Sequence, residues 1–146
     1  MEMPGRMQTP TAALLWIIRI GDVVGLRQPL QTTCAARIKP ASLQNRFHAK
    51  THYDRALRAF CCNKNIVYQS FWTLTADPQI LAAPAVTVTA EKYGRTPAQV
   101  FFRYLTQSGT ACLTGTSSPE HMAQDLAIFD FCLTAREGEA IGAQLK

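Results

Sequence analysis

The chain has 146 residues, 47% of them apolar, which is sufficient for one domain with its own hydrophobic core. Its formal net charge of +5 is unevenly placed, because residues 1–68 hold ten Lys/Arg and three Asp/Glu whereas residues 69–146 hold five and seven. The basic residues are scattered through the chain, and no nucleic-acid-binding motif accompanies them. The charge therefore argues against a nucleic-acid partner and favours a solvated basic face or a phosphate-bearing ligand.

The cysteines indicate a reducing environment. The chain has five, an odd number, and none of them forms a CxxC pair. Cys61 and Cys62 are adjacent on a predicted helix, where a disulfide between them would distort the backbone. We therefore expect free thiols in a cytoplasmic protein.

The apolar run at 11–18 is too short to span a membrane, so no membrane partner is expected. Residues 1–17 are interpreted as a poorly ordered leader.

The first half of the chain is predicted to hold three strands. Leu14–Val24 is nearly all apolar and fits a buried strand, whereas 26–36 fits only a weak helix because it contains Pro29 and two β-branched threonines. Leu43–Phe47 and Ile66–Tyr68 are predicted to be the second and third strands. The helix between them is predicted from residues that recur at helical spacing, Tyr53, Ala56, Leu57 and Phe60.

The second half is predicted to consist of helices and one further strand. A helix over 85–93 ends at Gly94, and Thr96–Gln99 combines an N-cap Thr, a Pro at N1 and a Gln at N3, which is a capping box for the next helix. Ala111–Leu113 is predicted to be a short strand, and two more helices are expected to begin at Ser118 and Thr134. The buried stripe of the capped helix is expected to be Val100, Phe101, Tyr104 and Leu105.

This alternation of strands and helices predicts an α/β fold with a parallel sheet. A strand–helix–strand unit of this length implies a right-handed crossover between parallel strands. Such sheets bind their ligands at the carboxyl ends of the strands, which directs attention to 46–48 and 70–74.

Three strand ends carry residues suited to a nucleotide. The loop Thr114–Ser118 leads into a helix N-terminus that could bind a phosphate, although many such loops are only helix caps. Gln44 and Asn45 could offer amide groups to a planar amide ligand or make ordinary loop hydrogen bonds. Phe71 and Trp72 could stack on a ring or pack in the core. The convergence of these three features favours nucleotide binding.

A metal site is not expected. His48 and His52 are four residues apart, but they straddle the predicted start of a helix. No third ligand follows at a spacing that a metal site would need.

Four segments together resemble the C-terminal half of an aldo-keto reductase. Gln44–Phe47, Val67–Leu74, Glu91–Val100 and Thr114–His121 occur in the order and spacing of that family. The resemblance covers 37–145 and extends weakly back to Ile18, so residues 18–146 are interpreted as an aldo-keto reductase-like half-barrel that follows the leader. The segments QSFWTLT and DLAIFDF resemble fungal members, which suggests a role in a fungal secondary-metabolite pathway.

The resemblance implies a partial (β/α)8 barrel of about four parallel strands with flanking helices and a C-terminal helix. The family reaction is the reduction of an aldehyde or ketone by NADPH. By position, Gln44 is expected to hydrogen-bond the nicotinamide carboxamide, and Phe71 to stack on the nicotinamide ring. Trp72 and Leu74 are expected to line the pyrophosphate path. The adenosine end is expected to meet Thr116, Ser117 and His121 at the 2′-phosphate and Gln124 and Asp125 at the adenine.

Several positions depart from the family pattern. Gly115 stands where the family usually has a Lys, His121 where it has an Arg, and Asp125 where it has an Asn. The Ser-Asn pair that normally holds the carboxamide falls near Gly21 and Asp22. Each lost charge-assisted contact costs about 1.5–3 kcal/mol, roughly ten- to more than a hundredfold in affinity. The expectation of NADPH as the cofactor is weakened accordingly.

No catalytic residue is predicted, because the family's catalytic Asp, Tyr, Lys and His belong to the first half of the barrel and match nothing here. Two hypotheses therefore stay open: an oxidoreductase whose competence depends on the other half, or an inactive truncated remnant acting at most as a nucleotide-binding or interaction module. A half-barrel leaves two sheet edges and an apolar inner face uncovered. We expect it to pair with its own copy or a separate half-barrel, or else to be poorly stable.

Overall fold

The structure, a computed structural model, describes residues 17–20, 35, 37 and 39–145. Four strands form one sheet in the order β1-β2-β3-β4, and all three neighbouring pairs are parallel. The strands are β1 (Ile17–Ile20), β2 (Ser42–Arg46), β3 (Val67–Phe71) and β4 (Thr110–Cys112). The predicted α/β fold with about four parallel strands is confirmed.

Five α-helices with described bounds accompany the sheet. They are α1 (Arg55–Asn63), α2 (Pro84–Tyr93), α3 (Pro97–Gln107), α4 (Pro119–Leu126) and α5 (Ala135–Gly142). Helix α1 makes the crossover between β2 and β3, whereas α2 and α3 both lie between β3 and β4. Short 3-10 helices cover Ala49–Asp54, Pro78–Ala82 and Ala127–Asp130.

Local sequence signals account for most helix ends. Gly94 ends α2 with a φ of 59°, a left-handed conformation that glycine adopts without steric cost. Capping boxes join Thr96 to Gln99 at the start of α3 and Thr134 to Glu137 at the start of α5. In each box the threonine hydroxyl accepts a backbone hydrogen bond, and the longer side chain accepts one in return. These predicted caps are confirmed.

The two faces of the sheet differ in burial because side chains alternate along each strand. Leu43, Tyr68 and Thr110 lie side by side in register and are 0%, 2% and 3% exposed. The core therefore lies on this face. The opposite face is less covered, and the partly buried residues on it are Gln44, Arg46, Gln69, Phe71 and Ala111. This face is thus mixed in polarity rather than the apolar surface that was expected.

Helix α3 contributes the largest share of the core. Val100, Phe101 and Leu105 on its inner stripe are each fully buried. Tyr104 is only half-buried and stacks on Phe101, with ring centroids 6.2 Å apart. The stripe predicted from the sequence is therefore confirmed at three positions and lies at the edge of the core at the fourth.

The turn before α1 differs from the prediction. His52, Tyr53 and Asp54 have φ values of 49°, 51° and 52°, so the helix begins only at Arg55. Tyr53 is buried but precedes the helix, and Ala56 is exposed. The apolar face of α1 consists instead of Leu57, Phe60 and Cys61.

A buried carboxylate accounts for this turn. Oδ2 of Asp54 accepts hydrogen bonds from Nδ2 of Asn45 at 2.6 Å and from the hydroxyl of Tyr68 at 2.7 Å. Left-handed non-glycine residues cost on the order of 1–3 kcal/mol each and persist only when their surroundings hold them. Here the backbone bends so that the carboxylate reaches donors on β2 and β3, and Tyr53 packs on Phe47 with ring centroids 5.2 Å apart.

Some predictions concern residues that the structure does not describe. Strand β1 occupies Ile17–Ile20, within the strand predicted over 14–24. The rest of that segment, Gly21 and Asp22 included, and most of the weak helix predicted at 26–36 lie outside the described residues.

Candidate functional site

A cleft opens at the carboxyl ends of β3 and β4 and has a volume of about 760 Å³. Small-molecule sites commonly fall within this range of sizes. Its walls are formed by four segments, which are 71–75 at the end of β3, 113–116 after β4, 96–99 at the start of α3 and one side of α4. The prediction that the strand ends and the helix-start loop converge is consistent with this arrangement.

Seven of the nine residues predicted to contact a cofactor line the cleft. These are Phe71, Trp72, Leu74, Thr116, His121, Gln124 and Asp125. Gln44 and Ser117 are not among the lining residues. Gln44 lies on β2 in register with Gln69, on the less covered face of the sheet, and Ser117 is exposed in the loop before α4. The structure therefore brings together most of the predicted set, but not the expected carboxamide contact.

Trp72 presents its ring to solvent at the end of β3. Its side chain is 57% exposed, and its backbone is left-handed with a φ of 57°. The guanidinium carbon of Arg46 lies 4.2 Å from the centroid of the ring, a cation–π distance. The core-packing alternative for Trp72 is wrong, because a ring held on one side by Arg46 and exposed on the other is available for stacking.

The loop before α4 uses several of its own polar groups. Ser118 caps the helix, because its hydroxyl accepts a hydrogen bond of 3.3 Å from the backbone N–H of His121. The hydroxyl of Thr116 accepts one of 3.1 Å from the backbone N–H of Ser118. The helix-cap alternative is therefore present in the structure. Two backbone donors that a phosphate would need are already paired within the loop.

The charged side chains of the cleft are few. Among the described lining residues, the acidic side chain is Asp125 and the basic one is His121, with no lysine or arginine. Burial raises the pKa of the Cys112 thiol to about 11, and the charge of Asp125 adds to this rise while a hydrogen bond with Ser70 opposes it. Because the carboxylate of Asp125 is half-buried in the lining, this end of the cleft favours hydrogen-bond donors over anions.

Gln99 has a role in the site that the sequence did not indicate. It is 4% exposed, and its Nε2 donates a hydrogen bond of 2.9 Å to the backbone carbonyl of Gln124. Its Oε1 accepts one of 3.0 Å from the backbone N–H of Thr96. The capping box predicted the second contact, but no local signal predicts the first, which ties α3 to α4 beneath the cleft.

The suggestion that Asn45 offers an amide to a ligand is wrong. Its side chain is fully buried on the core face and donates to Asp54. Neighbouring strand residues point to opposite faces, so Gln44 and Asn45 cannot both serve one ligand.

Other classes of site find little support within the described residues. His48 is buried, whereas His52 is exposed on the turn before α1. No group of three or more His, Cys, Asp or Glu side chains among the described residues is placed to hold a metal ion. The cysteines of this part of the chain, Cys61, Cys62, Cys112 and Cys132, are free thiols. None of the described helices has the length and apolar character needed to cross a membrane.

Known proteins resemble this chain over much of its length. No family model matches the sequence. An aldo-keto reductase of Mycobacterium marinum is 36% identical over 104 residues, which cover 71% of this chain and 36% of that protein. The NADH-dependent D-xylose reductase of Candida parapsilosis is 45% identical over 64 residues, 44% of this chain and 20% of that protein. The chain matches part of an aldo-keto reductase.

The fold of this chain also matches those of solved structures. The apo form of Gox0644 superposes with a TM-score of 0.69 at 31% identity, over 78% of this chain and 41% of that one. The aldose reductase of Schistosoma japonicum gives 0.71 at 26% identity, over 81% of this chain and 38% of that one. The four-stranded sheet is therefore a partial (β/α)8 barrel of the aldo-keto reductase type, and the chain spans well under half the length of these relatives.

Proposed function

We propose that this half-barrel binds a nicotinamide dinucleotide in the cleft after β3 and β4, and that the protein takes part in the reduction of an aldehyde or ketone by NADH or NADPH. The observation that carries the proposal is the single cleft that collects seven of the nine predicted contacts, among them the exposed ring of Trp72. The bound cofactor would supply the hydride. The residues of this chain would bind and orient the cofactor.

The roles proposed for individual residues follow the course of the cleft. The ring of Phe71 would stack on the nicotinamide, and the ring of Trp72 would contact the start of the pyrophosphate. Leu74 would line the rest of the pyrophosphate path. Gln44 would reach the carboxamide from the less covered face of the sheet, which it shares with Phe71. At the adenosine end the proposed contacts are Thr116, Ser117, His121, Gln124 and Asp125.

Relatives with nicotinamide cofactors support this assignment. The structure of a Gox0644 variant in complex with NADPH superposes with a TM-score of 0.68 at 31% identity, over 77% of this chain and 41% of that one. The Candida parapsilosis relative is named as NADH-dependent. Both cofactors therefore belong in the test of function.

Fluorescence titration tests the binding step. The chain has two tryptophans, so a Trp16→Phe variant leaves Trp72 as the sole indole reporter. We expect NADH or NADPH to quench its emission saturably, with a dissociation constant in the micromolar range that is typical of such sites (roughly 1–100 μM,). Absence of saturable quenching by either nucleotide at millimolar concentration would contradict the proposal.

A binding module without catalysis is the second candidate. Within the described lining of the cleft, the ionisable side chains are His121 and Asp125, and both lie on α4 rather than beside the proposed nicotinamide position. A screen of aldehydes and ketones with each nucleotide separates the two candidates. Saturable binding without turnover favours the module, whereas nucleotide-dependent turnover favours the enzyme.

We also propose that two copies of the chain associate through their sheet edges. In the described part of the sheet, β1 and β4 each pair with a single strand, and four strands from each of two copies would make the eight of a closed barrel. Large apolar side chains of α4 and of the 3-10 helix that follows it are exposed, with Leu126 at 74%, Phe129 at 64% and Met122 at 48%. Light scattering coupled to size exclusion is the test. A monomer that melts cooperatively would contradict this proposal, and a complex with a separate half-barrel would replace it.

Three further assignments complete the proposal. Residues 1–16 would form a leader and residues 17–146 the half-barrel, one residue earlier than predicted because Ile17 pairs with Ser42 in the sheet. The protein would be cytoplasmic. Its pathway would be fungal secondary metabolism, from the likeness of QSFWTLT and DLAIFDF to fungal members. Cell fractionation tests the location. Metabolite profiling of a strain that lacks the gene tests the pathway, and an unchanged profile would contradict it.

A further inference from the structure

The adenosine end of the cleft is poor in positive charge. No lysine or arginine occurs among the described residues that line it. Gly115 leaves one wall of this end without a side chain, and the imidazole of His121 is solvent-exposed on α4. A ribose 2′-phosphate brings close to two negative charges and three acceptor oxygens, which proteins usually match with arginine or lysine.

At the same end of the cleft, the carboxylate of Asp125 has no cationic partner among the described residues. Within the described residues, no salt bridge or hydrogen bond neutralises the side chain of Asp125, which is half-buried in the lining. Asp125 lines the cleft together with His121 and Gln124, so its charge acts on a ligand bound at this end. A second anion placed beside it would be repelled, whereas ribose hydroxyls or an adenine amino group could donate to it.

The loop before α4 also disfavours a bound phosphate. The N–H groups of Ser118 and His121 are already paired with hydroxyls of the loop. A phosphate at this helix N-terminus would have to displace those contacts, while an uncharged ribose would not.

We infer that the cleft takes a nicotinamide dinucleotide without a 2′-phosphate, NADH in preference to NADPH, with Gly115 and Asp125 as the residues that set the preference. The inference rests on the proposed nucleotide binding and narrows it. This preference for NADH is the opposite of the use of NADPH that the family resemblance alone implies.

Calorimetric titration of the full chain with NADH and with NADPH is the first measurement. We expect NADH to bind at least about tenfold more tightly, because each missing charge-assisted contact is worth about ten- to a hundredfold in affinity. AMP and adenosine 2′,5′-bisphosphate repeat the comparison without the nicotinamide half. The same ranking is expected for this pair, since the 2′-phosphate is the group that differs.

Two variants test the residues named. At Gly115 an added Cβ would meet nothing within 4 Å and the backbone is not left-handed, so Gly115→Lys is sterically free to place a cation in the cleft. We expect this variant to gain about ten- to a hundredfold in NADPH affinity and to change little toward NADH. Gly138→Lys is the matched control, because Gly138 is equally open but lies on α5 outside the cleft. Asp125→Asn removes the charge at constant shape and should also favour NADPH.

The outcomes separate the inference from the function it rests on. NADPH binding as tight as NADH in the parent chain would overturn the inference and leave the proposed function standing. Failure of a folded protein, checked by circular dichroism, to bind either nucleotide would overturn both. An equal gain in Gly115→Lys and Gly138→Lys would overturn the assignment to Gly115, because long-range attraction would then explain the change.

Discussion

The hydroxyl of Tyr68 on β3 donates a 2.7 Å hydrogen bond to Oδ2 of Asp54. Asp54 lies just before α1, the helix that connects β2 to β3. Both side chains are buried, at 2% and 5% exposure, and Asn45 donates to the same oxygen. Burial raises the pKa of the Tyr68 phenol above its usual value, and the charge and hydrogen bond of Asp54 raise it further. The pair therefore connects β2 and β3 to the left-handed turn before α1.

Removal of this phenolic donor should be costly. We expect Tyr68→Phe to lower the free energy of unfolding by about 1.5–3 kcal/mol, because a buried carboxylate then loses one of its two donors. Urea denaturation followed by circular dichroism measures the change. Tyr104→Phe is the control: the structure gives the Tyr104 hydroxyl no hydrogen bond within the described residues, so a change under about 0.5 kcal/mol is expected. Equal losses in the two variants would contradict the role of Asp54.

The features that could be read from the sequence are those with local causes. The strand pattern of Leu43–Phe47, the stripe of α3 and the caps at Gly94, Thr96 and Thr134 each depend on a few neighbouring residues, and each is found. The left-handed turn at 52–54 was missed, because it depends on donors that reach Asp54 from two strands. A residue's own neighbours in sequence carry no trace of such a contact.

The same distinction between local and long-range causes applies to the candidate site. Most predicted contacts line one cleft because strand ends of a parallel sheet meet at one edge, which periodicity can predict. Strand alternation predicts the orientation of Asn45 from the sequence, because Leu43 and Asn45 share one face of β2, whereas the ligand contact rests on residue type alone and is wrong. The tie from Gln99 to Gln124 joins residues 25 apart and has no local signature.

The exposed ring of Trp72 should contribute to nucleotide affinity. Ring stacking is worth about 0.5–1.5 kcal/mol, so we expect Trp72→Ala to weaken binding about two- to tenfold. Calorimetry is the suitable measurement, because this variant removes the fluorescent reporter. The ring also faces Arg46 at 4.2 Å, so Trp72→Phe should retain part of the affinity. An unchanged affinity in Trp72→Ala would place the nucleotide elsewhere.

Two functions of Gln99 can be separated by substitution. Gln99→Glu keeps an oxygen for the backbone N–H of Thr96 but replaces the donor to the carbonyl of Gln124 with a second acceptor. We expect it to lower the free energy of unfolding by about 1–3 kcal/mol, the cost of an unsatisfied buried acceptor. Thr96→Ala removes only the N-cap and should cost about 1 kcal/mol. If Gln99→Glu matches the parent chain in urea denaturation, the tie between α3 and α4 is unimportant.

The free thiols should differ widely in reactivity. Burial raises the pKa of Cys61 to about 11, with the charge of Asp54 adding to it, and Cys112 is raised to about 11 as well. Cys62 and Cys132 are exposed. With iodoacetamide at pH 8 and peptide mapping by mass spectrometry, we expect the exposed pair to be alkylated at least about tenfold faster than Cys61 and Cys112, because the thiolate is the reacting form. Unfolding in urea should remove the difference, and rapid alkylation of Cys112 in the folded chain would contradict the description of β4.

An ion pair between α2 and α5 gives the fold a defined acid dependence. One carboxylate oxygen of Glu137 bonds Nζ of Lys92, and the other accepts from the backbone N–H of Thr134 at 2.8 Å and the hydroxyl of Tyr93 at 3.0 Å. These contacts, the one from Lys92 most of all, lower the pKa of Glu137 from 4.5 to about 2. A depressed carboxyl pKa means that the folded state holds its proton less tightly than the unfolded chain.

The contribution of Glu137 to stability should therefore be present above pH 4.5 and disappear as the pH falls toward 2. We expect Glu137→Gln to unfold at a lower urea concentration than the parent chain at pH 6, and the two midpoints to converge through this window. Glu139→Gln on the same helix is the control, since Glu139 is exposed, and it should leave the pH profile unchanged. A gap between parent and Glu137→Gln that stays constant from pH 6 to 2 would show that the charge on Glu137 does not stabilise the contact between α2 and α5.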